Sequence, residues 1–338
     1  MNRIAADLFQ TEAWFDNLLE HGFVEQPSCF PIQVETPAGR VSLRLMLVRG
    51  RLHSVSNYYT CVYGPQGSRQ AESQMDWAAV MAQMVRLPGA AVVNLQPLDA
   101  SSQWLAAFES AAGAAGYLTD RYFCFGNWYQ PVPAGGYAAY WPQRPSALWH
   151  SVERGRRRLD KAGDWSISIV TSAADHLDAA ISAYEQVYAK SWKQPEPCPG
   201  FIPGLIKTAA REGWLRLGVL WFNGQPLASQ LWLVHAGKAN IYKLAYVKGF
   251  EKFSAGSVLT AALMQHVMDI DRVEEVDYLS GDDAYKADWM AMRRERVGLL
   301  AYNMRHWRGW LAAGRQLLGR WRRSIGSSST QSLPVHST

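Results

Sequence analysis

Asn223-Gly224, set between two alternating apolar runs, restricts the fold more than any other feature of the chain. In the first run Leu215, Leu217, Val219 and Trp221 share one face; the second extends from Leu227 to His235. Asn-Gly supplies the two positive-φ residues of a tight hairpin whose twist matches its strands. A further turn at Ala236-Gly237-Lys238 leads into a third strand, Ala239 to Val247. Such a meander needs one face covered to be stable in water. A helix opens at Phe253-Ser254-Ala255-Gly256-Ser257, runs to Met268, and is followed by strands at Glu275 to Leu279 and Val297 to Tyr302.

The same order stands earlier in the chain. A helix at Thr11 to Glu20 precedes strands at Phe30 to Val34, at 41–47 and at Leu52 to Tyr59. A helix from Ala71 to Arg86, a strand at Ala91 to Leu95, a helix from Gln103 to Gly116 and a strand at Tyr122 to Trp128 follow. The Pro- and Gly-rich stretch 131–145 is the crossing between halves. Beyond it a strand, Ile167 to Val170, and helices Asp175 to Trp192 and Pro203 to Glu212 lead into the hairpins; KQPEPCPG (193–200) cannot be helical. Meanders followed by crossover helices predict mixed sheets of α/β (α+β) class, and 338 residues suit two domains. We read an internal structural repeat without sequence repeat, with a first domain at 1–140 and a second at 145–303.

The hydrophobic share, 48%, excludes a disordered chain. No run approaches the roughly 20 apolar residues of a membrane span, and MNRIAADLFQTEAWFD lacks the apolar core of a signal peptide, so a cytoplasmic protein is expected. Cys29, Cys61, Cys124 and Cys198 form no CxxC pair, and the eight histidines are scattered. With no HExxH, GxSxG, GxGxxG or GxxxxGK[ST], no metal site and no ATP-driven chemistry are expected. Two basic clusters stand out: Arg154, Arg156, Arg157, Arg158 and Lys161, and the arginines between Arg293 and Arg323. They suit phosphates, anionic lipid or RNA, or are solvated helix faces; DNA is not an expected partner.

The turn from Tyr246 to the helix at Ser254 is the most informative stretch. The amides of Gly256, Ser257 and Val258 would point out of the helix start, where the dipole favours an anion. Lys252, Ser254, Ala255, Gly256, Ser257 and Val258 are therefore the candidate set for a diphosphate-bearing cofactor.

NGQPLASQLWL (223–233), the Ser-Ala-Gly turn at 254–256, and Asp277, Gly281, Asp282, Tyr285, Lys286 and Trp289 within DYLSGDDAYKADW (277–289) resemble the GNAT acyltransferase superfamily. The resemblance is nearer to its branch of FemAB aminoacyl ligases and CelD (BcsL)-like acetyltransferases, and covers roughly 145–303. It implies two tandem GNAT-like domains, the first degenerate, with SNYYTCVYGP (56–65) its most family-like piece. Relatives commonly show Ser-Pro-Gly at 254–256, and only Lys252 and Gly256 match the phosphate loop, so acyl-CoA, an acyl carrier protein and aminoacyl-tRNA all stay open as donor. The resemblance implies direct acyl transfer to an amine or hydroxyl of a small molecule or a cell-envelope or polysaccharide precursor. A fold kept only for binding partners at a membrane is the alternative.

Acyl transfer needs a positioned nucleophile, a proton acceptor and an oxyanion donor. A strand bulge near Tyr246 would free an amide for the oxyanion. Asp282 would orient or deprotonate the nucleophile, and Lys286 would bind an anionic group or polarise the carbonyl, unless the two form a structural ion pair. Gln230, polar within an apolar strand, needs a partner, for which substrate is one candidate. Finally, Trp307, Trp310, Leu311, Gly314, Leu317, Leu318 and Trp321 fall on one stripe of a basic helix (304–323), suited to a membrane surface or to docking on its own domain. A low-complexity tail, 324–338, is expected to be disordered.

Overall fold

The computed structural model describes residues 7–327 except Asp175, with side chains as far as Leu318. The first half comprises α1 (Glu12–His21), β1 (Cys29–Thr36), β2 (Gly39–Val48), β3 (Arg51–Ser54), α2 (Arg69–Ser73), α3 (Trp77–Met84), β4 (Val92–Asp99), α4 (Gln103–Ala114) and β5 (Tyr117–Pro131). A short α5 (Gly136–Tyr140) crosses to α6 (Ser146–Ala162) and β6 (Trp165–Val170). The second half continues with α7 (Leu177–Ala189), α8 (Phe201–Arg211), β7 (Leu215–Phe222), β8 (Gln225–His235), β9 (Lys238–Tyr246), α9 (Ala255–Gln265), β10 (Glu275–Asp277), α10 (Lys286–Trp289) and β11 (Met292–Asn303). Helix α11 (Trp307–Ser327) follows, so 324–327 are helical where a disordered tail was expected; 328–338 lie outside the described residues.

The repeat is present, and all eleven strands join one mixed sheet in the order β1-β2-β3-β4-β11-β5-β10-β9-β8-β7-β6. The last strands of the halves are exchanged. β11 lies antiparallel between β4 and β5, and β5 lies antiparallel to β10. Asn223 and Gly224 take positive φ in the turn joining β7 to β8, as the sequence requires.

Three elements differ from expectation. β3 stops at Ser54, because the hydroxyls of Ser54 and Ser56 both donate to the Gln96 carbonyl and Asn57 then closes a turn by accepting from the Tyr59 amide. The helix expected over 71–86 breaks in two; Asp76 caps the second piece by accepting from the Ala79 amide. Helix α6 was not anticipated, although Leu148, Val152, Gly155 and Leu159 form its buried stripe. The basic run from Arg154 is its outer face.

One core cluster already spans both halves: Trp14 of α1 meets Phe201 of α8 and Tyr242 of β9 edge-on, with ring centroids 5.8 and 5.9 Å apart. A second cluster lies under α6 and α9, around Trp232, Val258, Leu259 and Trp289.

Candidate functional site

β9 and β10 are parallel neighbours only over Lys238–Asn240 and Glu275–Asp277. Beyond that they diverge, and the opening between them is the site. A cavity of about 610 Å³ runs from the first turn of α9 (Ser254, Gly256, Ser257) past Tyr246 and Gln230 to Tyr278 and Trp289. A chamber of about 180 Å³ adjoins it, lined by Lys193, Lys243, Lys286 and Asp283 of the second half and by Tyr58 and Tyr59 of the first. Leu244, Tyr278 and Tyr285 line both and form the neck between them.

At the donor end, Ser254 takes a left-handed conformation, φ 48°, and its hydroxyl meets that of Ser151 at 3.2 Å. The first amide inside the helix is Val258, which donates to the Ser254 carbonyl at 2.9 Å. The free-amide set is thus Ala255, Gly256 and Ser257, and Val258, expected among them, is consumed by the helix. Lys252 is exposed, leans over the Phe253 ring, and does not line the cavity. Tyr246 does line it, its ring 4.5 Å from that of Trp192 and close above Gly256.

Gln230 lines the cavity floor but has protein partners throughout. Its amide donates to the Gly256 carbonyl at 2.9 Å and to Thr260 Oγ1 at 2.8 Å, and its carbonyl accepts from the Trp232 indole at 2.9 Å. It pins α9 to β8. The bulge of β9 falls at Tyr242, where the register against β8 slips between Leu231 and Trp232, four residues before the expected Tyr246.

Asp282 and Lys286 are not brought together. Asp282 accepts from both Nε and Nη2 of Arg293 and from the Trp128 indole, and it lines neither cavity. Lys286 is 4% exposed in the chamber wall. Its ammonium donates to the carbonyls of Ser280 at 2.5 Å and Gly281 at 3.2 Å, and Asp283 stands 3.5 Å away. Burial pulls its pKa below the ordinary lysine range, against the pull of Asp283. Burial also raises the Tyr285 hydroxyl to about 12 and the Cys61 thiol to about 11, so both are protonated at neutral pH.

The residues that sequence reasoning missed are Lys193, Lys243, Asp283, Tyr58 and Tyr59. Asp283 had a signal, one position from the residue chosen, and Tyr58 and Tyr59 stand in the stretch 56–65 that carried the family resemblance of the first half. The others reach the chamber through tertiary packing: the Tyr59 hydroxyl accepts from the Cys198 amide at 3.0 Å, fixing the loop that carries Lys193.

Asp277, at the end of β10, is fully buried beneath the site. It accepts from Arg294 and from Asn127, with Lys238 and Arg296 each 4.0 Å away. These cations hold its carboxyl below the usual carboxylate range despite burial. A larger cavity, about 670 Å³, lies on the other side of this network, and several of its charges pair with one another, as Lys238 does with Asp7 and Arg294 with Glu275. Among the described residues no group of three histidine, cysteine or acidic side chains is placed to hold a metal ion, and no helix is long and apolar enough to cross a membrane.

Splayed parallel strands, with a glycine-containing helix start at the opening, define the cleft. Residues 148–287 match the family model described as an acetyltransferase (GNAT) domain, and this second half belongs to the GNAT superfamily. No curated protein sequence matches the chain. Among solved structures, FemX shares the fold at a TM-score of 0.62 and 9% identity, over 90% of this chain and 94% of that one. The C-terminal domain of a putative lysylphosphatidylglycerol synthetase from Agrobacterium fabrum is similar at 0.54 and 13%, over 85% and 89%. L-PGS from Bacillus licheniformis is similar at 0.53 and 12%, over 91% and 96%.

Proposed function

We propose that the chain transfers an acyl group directly from acyl-CoA to an amine or hydroxyl, with the donor in the 610 Å³ cavity and the acceptor entering through the adjoining chamber. The observation that carries this reading is the continuity of the two spaces through the Tyr278–Tyr285 neck, opposite the amides of Ala255, Gly256 and Ser257. Those amides, at the positive end of α9, suit a diphosphate, and the same cavity is lined at its other end by the neck residues Tyr278 and Tyr285, where a thioester would sit. There the Lys286 ammonium supplies a fixed positive charge for the oxyanion. The acceptor proton leaves by way of Asp283, the one carboxylate lining the chamber among the described residues, and thence to water; as the tetrahedral intermediate collapses the C–S bond breaks, and CoA departs as a thiolate that takes its proton from water. Asp282, held by Arg293, has no part in this reading.

The acceptor is proposed to be a small molecule or an envelope or polysaccharide precursor. The exposed Arg154, Arg157 and Arg158 of α6 lie beside the donor end, where Arg158 donates to the Lys252 carbonyl. They suit the outer phosphates of CoA or, in the second reading, the phosphates of an aminoacyl-tRNA. Calorimetry with acetyl-CoA separates the two: saturable binding weakened by Gly256→Val supports the CoA reading, and no binding to the wild-type chain moves the proposal to a carrier protein or tRNA.

α11 gives this reading a location. It docks on the sheet through Gly309 and Ala313, against Val92 and Tyr302, while Trp307 and Trp310 stand 64% and 62% exposed on the opposite side with Leu311, Leu317 and Leu318. Arg308 and Arg315 flank that stripe. An apolar, Trp-bearing stripe with an arginine border, turned away from its own domain, suits the surface of an anionic membrane.

A further inference from the structure

The chamber behind the neck carries more positive charge than the transfer step requires. Three lysines line it, and two have carboxylate partners. Lys243 Nζ lies 2.7 Å from Glu196, which also accepts from the Tyr188 hydroxyl at 2.7 Å. Lys286 has Asp283 at 3.5 Å. Lys193 is half-buried and, among the described residues, has no carboxylate within ion-pair distance; its ammonium leans over the Trp192 ring, 5.8 Å from the centroid. Burial and repulsion from Lys243 and Lys286 depress its pKa below the ordinary lysine range, against the longer-range attraction of Glu196 and Asp283. An ammonium held in a partly dry wall, beside two others and with no carboxylate in contact, favours an anion arriving with the ligand.

We propose that the chamber recognises an acidic group of the acceptor, a carboxylate or a phosphate, with Lys193 as its counter-ion and the acceptor's nucleophile directed at the neck. This rests on the transferase reading of the neighbouring cavity. The volume, about 180 Å³, admits a small charged group with a few attached atoms and excludes a nucleotide. The aromatic wall of Tyr58, Tyr59, Tyr242 and Tyr278 supplies apolar contact without competing negative charge. The acceptor class is therefore an amino acid or a phosphorylated amine or alcohol, or a larger molecule ending in one. A cationic chamber also disfavours the protonated form of an incoming amine, so the neutral, nucleophilic form is selected at the neck.

The test uses the full chain with its lysines dimethylated by ¹³C-formaldehyde, which keeps their charge, and follows the Lys193 methyl signal by NMR at fixed ionic strength. Inorganic phosphate, phosphoethanolamine and glycine are the probes, with ethylamine as the control that lacks an acidic group. The expected result is a saturable shift with phosphate and with at least one of the two acceptor-like probes, a rise of the Lys193 titration midpoint on binding, and no response to ethylamine. Whether phosphoethanolamine or glycine binds more tightly tells a phosphate from a carboxylate acceptor. Lys193→Gln should cut affinity at least tenfold, while Lys207→Gln, on the exposed face of α8, should leave it unchanged. Absence of a saturable response, or equal affinity in Lys193→Gln, overturns the proposal. CoA calorimetry on the same samples separates the two readings: CoA bound with no anion response removes only the acidic-acceptor assignment, and an anion response without CoA binding removes only the CoA-dependent transferase.

Discussion

Tyr59 of the first half lies flat on Phe201 of the second, ring centroids 3.8 Å apart and planes 16° from parallel. Its hydroxyl accepts from the Cys198 amide at 3.0 Å and donates to the Cys198 carbonyl at 3.3 Å. The loop bearing Lys193 is thereby fastened to the other half of the molecule. Tyr59→Phe keeps the stack and strands buried backbone groups, which should cost about 1–3 kcal/mol in urea unfolding. It should raise the acceptor KM while CoA affinity stays constant; a matching loss of CoA affinity would mean that the loop serves the donor instead.

Gly256 leaves the donor cavity open beneath Tyr246. A Cβ there would stand 3.3 Å from Cδ1 of that ring, tight but tolerable, whereas the branched Gly256→Val fills the space in front of the α9 amides. The variant should weaken CoA binding at least tenfold in calorimetry and leave the thermal midpoint within a few degrees. Unchanged CoA affinity would place the donor elsewhere.

Lys286 and Asp282 should now separate cleanly. Lys286→Met should lower kcat at least a hundredfold, on the scale of losing one oxyanion-stabilising group (about 10²–10³). Asp282→Asn should leave it within about twofold. Because burial depresses the Lys286 pKa, its charge is lost as pH rises through a value below the ordinary lysine range. Turnover should therefore fall on the alkaline side before a free lysine would titrate, and Lys286→Arg, if active, should push that limb upward. A pH profile identical in wild type and arginine variant would remove Lys286 from the chemistry.

Asp277 ties β10 to β5, β9 and β11 at once. Asp277→Asn leaves Arg294 and Lys238 without their shared buried counter-charge and should cost about 3–5 kcal/mol. The folded-state pKa lies below the unfolded value, so the contribution is present above about pH 4 and disappears as acid protonates the folded carboxylate. Wild type should lose stability below pH 4 more steeply than the variant. Parallel acid profiles in chemical denaturation would show that the network does not set acid stability.

The outward stripe of α11 predicts sedimentation with anionic vesicles and not with neutral ones, weakened by salt, since each arginine near such a surface contributes on the order of 1 kcal/mol. Truncation after Asn303 should abolish it and leave a folded chain, because the helix covers only a small cluster around Val92 and Tyr302. Failure of the full-length protein to sediment at low salt would end the membrane assignment.

Strand order along each half was legible, because alternation and the Asn223-Gly224 turn are local. So was the turn at Ser254–Gly256, where small residues sit between strand and helix. The partners of Gln230 and Asp282 were not: Thr260 and Trp232 complete Gln230, and Arg293 with Trp128 hold Asp282, contacts that only the folded sheet creates. Helix α6 carries a readable stripe in Leu148, Val152, Gly155 and Leu159, diluted by the arginines of its outer face. The chamber beside the neck was out of reach, since Tyr59 and Lys193 come to line one space only after the halves have packed.

The exchange of β5 and β11 sets an order of events during synthesis. β4 cannot acquire its inner neighbour until residues 292–303 have emerged, almost two hundred positions after it was made. The first half must therefore wait on the ribosome with β4 and β5 unpaired along those edges, the condition under which strands find wrong partners. Closing the sheet late also makes long-range pairing the slow step of folding. The chamber beside the neck takes its walls from Tyr58 to Lys286, so a product terminated between Gly256 and Lys286 would carry the turn at the start of α9 and an unfinished chamber.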